Sequence, residues 1–237
     1  MEIQGKVVIV TGASTGIGLA TARLFAQKGA KVALVARSTD KLTALATELP
    51  ESFVVTADMS DEAAVQVMVK QVHEHYGRID ILVNNAGRGM HVPIEQANLQ
   101  DYRNIFELNV VGVLCAMQAV IPIMRQQGGG VIINISSGLS KRIVPGVGPY
   151  ASTKYALNAL TLTARLELAP DNIRVGLMIP GLTATDFVKN AIRLPGATFD
   201  RSRLMQVDTA EHVAEKILEA VQTEAAEVYA DSIQPAA

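Results

Sequence analysis

The chain has no tryptophan, only five phenylalanines and five tyrosines, and a single cysteine among 237 residues. One cysteine excludes an intrachain disulfide, and Cys115 sits in the apolar run VVGVLCAM, where a small buried hydrophobe is its ordinary role. The histidines His73, His75, His91 and His212 join no cysteine or carboxylate at metal-ligand spacing, so no metal site is expected. Excess positive charge is also missing: 21 Lys and Arg against 23 Asp and Glu give a net charge of -2, with no basic stripe and no aromatic-basic interleaving. Nucleic acid is not an expected partner. No charged segment followed by an apolar run opens the chain, and charges are expected to break every hydrophobic stretch short of membrane-spanning length. The expectation is a soluble, cytoplasmic protein with no membrane partner.

Apolar residues are abundant, at 49% of the total. That is enough to bury one large core, and the length fits a single α/β domain spanning 1–237. Short β-branched runs alternate with longer helical patterns throughout. Runs at 6–10, 31–35, 53–56, 81–84, 131–136, 174–179 and 227–230 are predicted strands, and most are continuously apolar, as strands covered on both faces are. Helical periodicity predicts helices over 17–28, 41–48, 61–76, 101–126, 150–168 and 210–222, with Ser60 and Thr209 as N-caps and Gly29 and Gly77 as stops. The alternation predicts an α/β fold, a doubly wound parallel sheet of about seven strands with helices on both faces. The least regular stretch, 183–207, contains Pro195 and Gly196 and is expected to form a substrate lid.

TGASTGIG lies where the first predicted strand passes into the first helix. Gly12, Gly16 and Gly18 let the backbone approach a pyrophosphate at the positive helix end, with Ser14, Thr15 and Ile17 completing the turn. The spacing differs from the commoner Gly-x-Gly-x-x-Gly, so its position between strand and helix carries the argument. The second strand ends in LVAR. No carboxylate stands where a ribose 2'-hydroxyl is usually held; Ala36 and Arg37 stand there, followed by Ser38. A guanidinium forks onto a 2'-phosphate, which predicts NADP(H) as the preferred cofactor. Thr15 adds no second positive charge, so NAD(H) stands as an alternative. Asp58, just past the third strand, accepts from an adenine amino group or is an ordinary loop aspartate.

In PYASTKYAL, Tyr150 and Lys154 stand one helical turn apart and share a helix face. A cation there favours the phenolate and brings the tyrosine nearer to working pH, which suits a proton donor in carbonyl/alcohol chemistry. Ser137 precedes them.

Taken in order, TGASTGIG, NNAG at 84–87, Asn109, Ser137, the Tyr150/Lys154 pair and PGLTAT at 180–185 resemble the short-chain dehydrogenase/reductase family, in the group with TGxxxGxG and YxxxK motifs. The resemblance covers nearly the whole chain. It implies a Rossmann-type fold and an NAD(P)-dependent oxidoreductase acting on CH-OH and C=O groups. Tyr150 is then the general acid in reduction and the base in oxidation; Lys154 lowers its pKa and binds the nicotinamide ribose. Ser137, rather than Ser136, has the family spacing and polarises the carbonyl oxygen, and strand alternation allows only one of the two serines to face the site. The resemblance makes Asn109 the residue whose carbonyl holds a relay water. Asn85, Ala86 and Gly87 are implied contacts on the adenosine side. Pro180, Gly181, Thr183 and Thr185 are implied around the nicotinamide, with the backbone at 183 and the Thr185 hydroxyl holding its carboxamide; Thr183 replaces the usual Ile or Val.

Substrate specificity is expected from 88–98, 138–149 and 182–207. Met90, Val92, Leu139, Ile143, Val144, Ile192 and Leu194 suggest an apolar carbonyl or alcohol substrate, or pack the loops. Arg88, Arg142 and Arg193 are isolated loop arginines and do not argue for an acid. The ending EVYADSIQPAA lacks the glycine-rich close of acyl-carrier-protein ketoacyl reductases, which speaks against fatty-acid elongation. The apolar helices 101–126 and 150–168 carry more apolar surface than one sheet face needs, and in family members the matching helices pair, so a homodimer or homotetramer is expected. The alternatives are a non-catalytic dinucleotide-binding regulatory protein, a hydroxy-acid dehydrogenase of the same family, and a sugar-nucleotide epimerase, which the short chain fits poorly.

Overall fold

The computed structural model describes residues 1–194 and 207–233. Strand β1 (Val7–Thr11) leads into α1 (Gly16–Gln27), β2 (Lys31–Ala36), α2 (Thr39–Glu48), β3 (Phe53–Thr56), α3 (Glu62–Tyr76) and β4 (Ile81–Asn84). The two-residue β5 (Met90–His91) follows. Helix α4 (Leu99–Phe106), a π-helical turn (Glu107–Val111) and α5 (Gly112–Gln126) then form one helical run. Strand β6 (Gly130–Ile135), α6 (Gly148–Leu168), β7 (Ile173–Ile179), β8 (Ile192–Arg193), α7 (Ala210–Thr223) and β9 (Glu227–Tyr229) complete the order.

Seven strands pair in the order β3-β2-β1-β4-β6-β7-β9, all parallel. The pleat sends alternate residues to opposite faces. Val8 and Val10 of β1 pack with Phe25 of α1, Leu42 of α2 and Ile217 of α7, while Val7 and Ile9 pack with Met68 of α3 and Met117 of α5. Both faces are therefore covered, which is why β1, β4 and β6 are buried along their whole length. The chain order reverses at β1, which pairs with β2 on one side and β4 on the other, so a crevice opens beyond the C-terminal strand ends there. This is a Rossmann-type sheet.

The structure corrects several local expectations. Asp61, not Ser60, caps α3, its carboxylate accepting from the Ala64 amide at 3.1 Å. Ser60 is engaged elsewhere, donating its amide and hydroxyl to Asp58 Oδ1 at 2.9 and 2.7 Å. Thr209 does cap α7, and Gly77 ends α3 in the left-handed region. The helix expected over 101–126 starts at Leu99 and contains the π turn, and Gly112 begins α5 pressed against the Met59 carbonyl, where a Cβ would overlap that oxygen. Charges do not interrupt this run as expected: 99–126 is long and apolar enough to cross a membrane by length and composition. Half of its most apolar window is buried, with Cys115, Ala116, Val120 and Met124 inside the core, so its hydropathy reflects packing on the sheet. Of the expected lid, Pro195, Gly196 and the rest of 195–206 lie outside the described residues. Residues 192–193 pair with β5, tying the segment after β7 to the loop after β4.

Candidate active site

A cleft of about 1700 Å³ runs along the C-terminal strand ends. Of the catalytic and cofactor-binding residues singled out from the sequence, all but Gly18 and Asn109 line it. At one end, the glycine turn is shaped by mutual contact. Gly12 has φ +69°, and a Cβ on Gly18 would overlap the Gly12 carbonyl and the Asn85 amide. Asn85 is turned inward, its Nδ2 donating to Thr11 O at 2.9 Å, while the Thr11 hydroxyl accepts the amides of Asn85 and Ala86 at 3.0 Å each. Asn85 therefore braces the turn instead of facing a nucleotide with its side chain. The bracing residue Thr11 opens the TGASTGIG motif, but its role here is one the motif alone does not reveal. At the start of α1, Thr15 makes no side-chain capping hydrogen bond, so the first-turn amides are left for a ligand at the positive helix end.

At the end of β2, Arg37 is 76% exposed, with its guanidinium 3.8 Å from the Asp58 carboxylate. Burial acts to raise the Asp58 pKa, but hydrogen bonds from Ser60 and the Arg37 charge outweigh it and hold the group below its ordinary value. Thr185 reaches the opposite wall, its Cγ2 3.2 Å from where a Gly16 Cβ would lie.

At the other end, α6 presents Tyr150 and Lys154, both 5% exposed, and Ser137 follows β6. Hydrogen bonding separates the two serines, which lie just beyond β6. Both border the cleft, but the Ser136 side chain is taken up by hydrogen bonds with Asn158 and Ser140, whereas Ser137 hydrogen-bonds the Tyr150 phenol. Lys154 Nζ donates to Ile135 O at 2.8 Å and lies 6.0 Å from the Tyr150 ring centroid. The expectation that Lys154 draws the phenol down is corrected here. Burial pushes Tyr150 up to about 12, opposed by the Ser137 hydrogen bond, and burial depresses the Lys154 ammonium to about 8.

Asn109 sits in the π turn with no exposure. Its side chain is fully engaged: Oδ1 accepts the Arg88 amide at 2.9 Å, and Nδ2 donates to Arg88 O at 3.0 Å and to Thr153 Oγ1 at 3.1 Å. The side chain thus pins the loop after NNAG, and only the main-chain carbonyl is left for a relay. Behind the site, Asn84, Asn134 and Thr161 form a buried hydrogen-bonded chain that periodicity did not reveal.

The cleft also holds residues the sequence reading missed. His91 and Phe187 flank Tyr150 with ring centroids at 6.5 and 5.8 Å. In the sequence His91 belongs to no motif, and Phe187 lies in the irregular segment without a period. Burial, with the nearby Arg193 charge, lowers the His91 pKa. Among the apolar loop residues, Leu139, Val144 and Ile192 line the cleft; Met90 and Val92 instead pack beneath it against Ile105 and Tyr150, joined by Leu194, and Ile143 is 87% exposed. Arg88 and Arg142 line the cleft, while the Arg193 guanidinium turns to Val188 O.

A Rossmann-type sheet with a dinucleotide-sized crevice and a Ser-Tyr-Lys group at its far end defines the class as a dinucleotide-linked enzyme fold. The short chain dehydrogenase family model matches residues 6–193, and the chain belongs to that family, as an oxidoreductase. It is similar to 3alpha-hydroxysteroid dehydrogenase of Mediterraneibacter gnavus, 38% identical over 194 residues, covering 79% of this chain and 78% of the relative. Among solved structures it resembles 3-ketoacyl-(acyl-carrier-protein) reductase from Brucella melitensis complexed with NADH (TM-score 0.88, 29% identity, 97% of this chain and 98% of that one). It also resembles alcohol dehydrogenase from the archaeon Thermococcus sibiricus complexed with 5-hydroxy-NADP (TM-score 0.85, 30% identity, 99% and 100% covered).

Proposed function

We propose that the protein is an NADP(H)-preferring oxidoreductase that interconverts an apolar ketone or aldehyde and its alcohol, with Tyr150 as general acid and base. The observation that carries this reading is the convergence of the Tyr150 phenol, the Ser137 hydroxyl and the buried Lys154 ammonium on the cleft that also holds the uncapped start of α1. A nicotinamide dinucleotide supplies or accepts the hydride when bound. The residues suited to it are Ser14, Thr15, Gly16 and Ile17 at the phosphates, Arg37, Ser38 and Asp58 at the adenosine end, Ala86 and Gly87 in the middle, and Pro180, Gly181, Thr183 and Thr185 at the nicotinamide.

Each side chain then has a task its environment supports. The Tyr150 phenol, kept neutral by burial, donates its proton to the substrate oxygen in reduction. Ser137 hydrogen-bonds the same oxygen and orients it. Lys154, at about 8, exchanges protons near neutral pH, and the Asn109 main-chain carbonyl in the π turn serves a water path to it. His91, Phe187, Leu139 and Val144 give the substrate end an aromatic and apolar wall, in keeping with the hydroxysteroid named for a relative. Arg37 supports the NADP preference because its exposed guanidinium meets a 2'-phosphate at little desolvation cost.

The reading extends to a homo-oligomer through the outer faces of α5 and α6. A groove of about 280 Å³ there is lined by Leu114, Met117, Leu160 and Ala164, and Leu166 nearby is 77% exposed. Light scattering across protein concentration tests this.

The deciding assay is NADPH and NADH oxidation against apolar ketones, aldehydes, diketones and short oxo-acids, with Tyr150→Phe beside the wild type. Turnover that is lost in Tyr150→Phe, while NADPH still binds, is the expected result. Tight NADPH binding with no turnover on any compound, alcohols in reverse included, would instead support a regulatory dinucleotide-binding protein.

A further inference from the structure

The family match ends at residue 193, yet the described chain returns to the site beyond it. After β9 a turn at 231–233 lies against both loops that carry the chemistry. A Cβ on Gly181 would overlap the Ser232 hydroxyl and come within 3.1 Å of the Ser232 Cβ, and a Cβ on Gly138, next to Ser137, would overlap Ile233 Cδ1. Those loops are themselves joined, Gly138 N donating to Pro180 O at 2.8 Å. Ser232 Oγ donates to the Asp208 carboxylate, which is 4% exposed. Asp208 in turn brackets the 180–185 segment with its backbone, donating to Leu182 O at 2.9 Å and accepting from Ala184 N at 2.8 Å.

The turn is anchored from outside as well. Asp231 lies 3.1 Å from His212 Nε2 and 3.3 Å from Lys216 Nζ, both on α7. Lys141, just after the Ser137 loop, pairs with Glu227 of β9 at 2.7 Å. Burying a carboxylate such as Asp208 costs several kcal/mol unless hydrogen bonds compensate, so a serine supplying one is a fixed part of the arrangement.

We propose that the turn at 231–233 is a positioning clasp, in which Ser232, through Asp208, sets the 180–185 segment and the Ser137 loop for dinucleotide and substrate. The proposal rests on the oxidoreductase reading for its purpose, but its geometry stands apart from it. Neither Ser232 nor Asp208 reacts; both act through the segments they hold.

Gly181 offers a direct test because it does not adopt positive φ, so alanine there is opposed by space and not by backbone strain. In Gly181→Ala the new methyl displaces Ser232 or the 180–185 segment. NADPH affinity is expected to fall roughly tenfold or more, with kcat/KM falling up to about 10²-fold, the scale for a misplacement near 1 Å. Adding Ser232→Gly removes the Ser232 atoms that meet the new methyl but also the hydroxyl that holds Asp208, so NADPH binding is expected to stay at least about threefold weaker than wild type. A double variant that binds NADPH as tightly as wild type, or a harmless Gly181→Ala, overturns the clasp. Ser232→Ala, which keeps the Cβ and loses only the hydroxyl, provides a readout that needs neither turnover nor cofactor. Hydrogen exchange of the peptide covering 180–186 is expected to quicken while β1 and β2 peptides stay unchanged. Unchanged exchange at 180–186 also overturns the proposal. If wild type proved to have no oxidoreductase activity, the exchange result would still decide whether the clasp exists.

Discussion

Lys154→Met is expected to make the dinucleotide-free protein more stable at neutral pH while removing its activity. The wild-type ammonium is 5% exposed and is depressed from 10.5 to about 8 by burial, so at pH 7 the folded protein holds a charge it disfavours. A difference of about 2.5 pK units corresponds to roughly 3 kcal/mol. The hydrogen bond from Nζ to Ile135 O returns about 1 kcal/mol of this. Methionine, similar in length and uncharged, is therefore expected to gain about 2 kcal/mol, which for a chain of this size raises Tm by roughly 4–8 °C. The pH dependence follows from the sign of the shift. Because the folded pKa lies below the unfolded one, the unfolded chain binds more protons between about 8 and 10.5, and wild-type stability rises with pH across that window. The advantage of Lys154→Met should therefore shrink between pH 7 and about pH 9.5. Tyr150 does not obscure this: its pKa is raised from 10.0 to about 12, so its contribution is complete below pH 10 and is lost only as pH climbs towards 12. Thermal unfolding followed by circular dichroism, with both proteins scanned across that range, measures the difference. A variant that melts at or below wild type at pH 7, or a difference that does not change with pH, would refute the burial argument.

Further substitutions test other parts of the site. Gly18→Ala should cost about 1–3 kcal/mol by overpacking against the Gly12 carbonyl and Asn85, and should weaken NADPH binding, as read by thermal unfolding and titration. Arg37→Asp should weaken NADPH far more than NADH, because it replaces an exposed guanidinium with a like charge to the 2'-phosphate; equal loss of both cofactors would show that Arg37 does not read that group. Ser137→Ala should lower kcat by about 10²-fold with little change in Tm, whereas Ser136→Ala should lower Tm, since Asn158 loses a buried partner, and leave kcat near wild type.

Much of the candidate site was legible in the sequence, because its arrangement depends on short-range geometry. A glycine turn between strand and helix, and a phenol and an ammonium four residues apart, have their relative directions set within a few residues. For the two serines, alternation implied that only one turns to the site and the family spacing chose Ser137; in the structure the Ser136 hydroxyl is held by Asn158. Boundaries were less secure, and for a local reason too: Asp58 takes both Ser60 donors, which leaves Asp61 to cap α3.

The sequence by itself determined the strand and helix order, the doubly wound parallel sheet and which residue types meet at its C-terminal ends, since period and turn chemistry act over one or two turns of chain. Only the tertiary structure decided the electrostatics. Spacing placed Lys154 beside Tyr150, but burial by distant elements raised the phenol and depressed the ammonium, and desolvation depends on every segment that closes around a group. The same holds for Asn85 and Asn109, whose amides are consumed by Thr11, Arg88 and Thr153, and for His91, Phe187 and the turn at 231–233, which reach the site across the sheet. Their partners lie tens of residues away, at distances along the chain where periodicity carries no information and packing alone selects the contact.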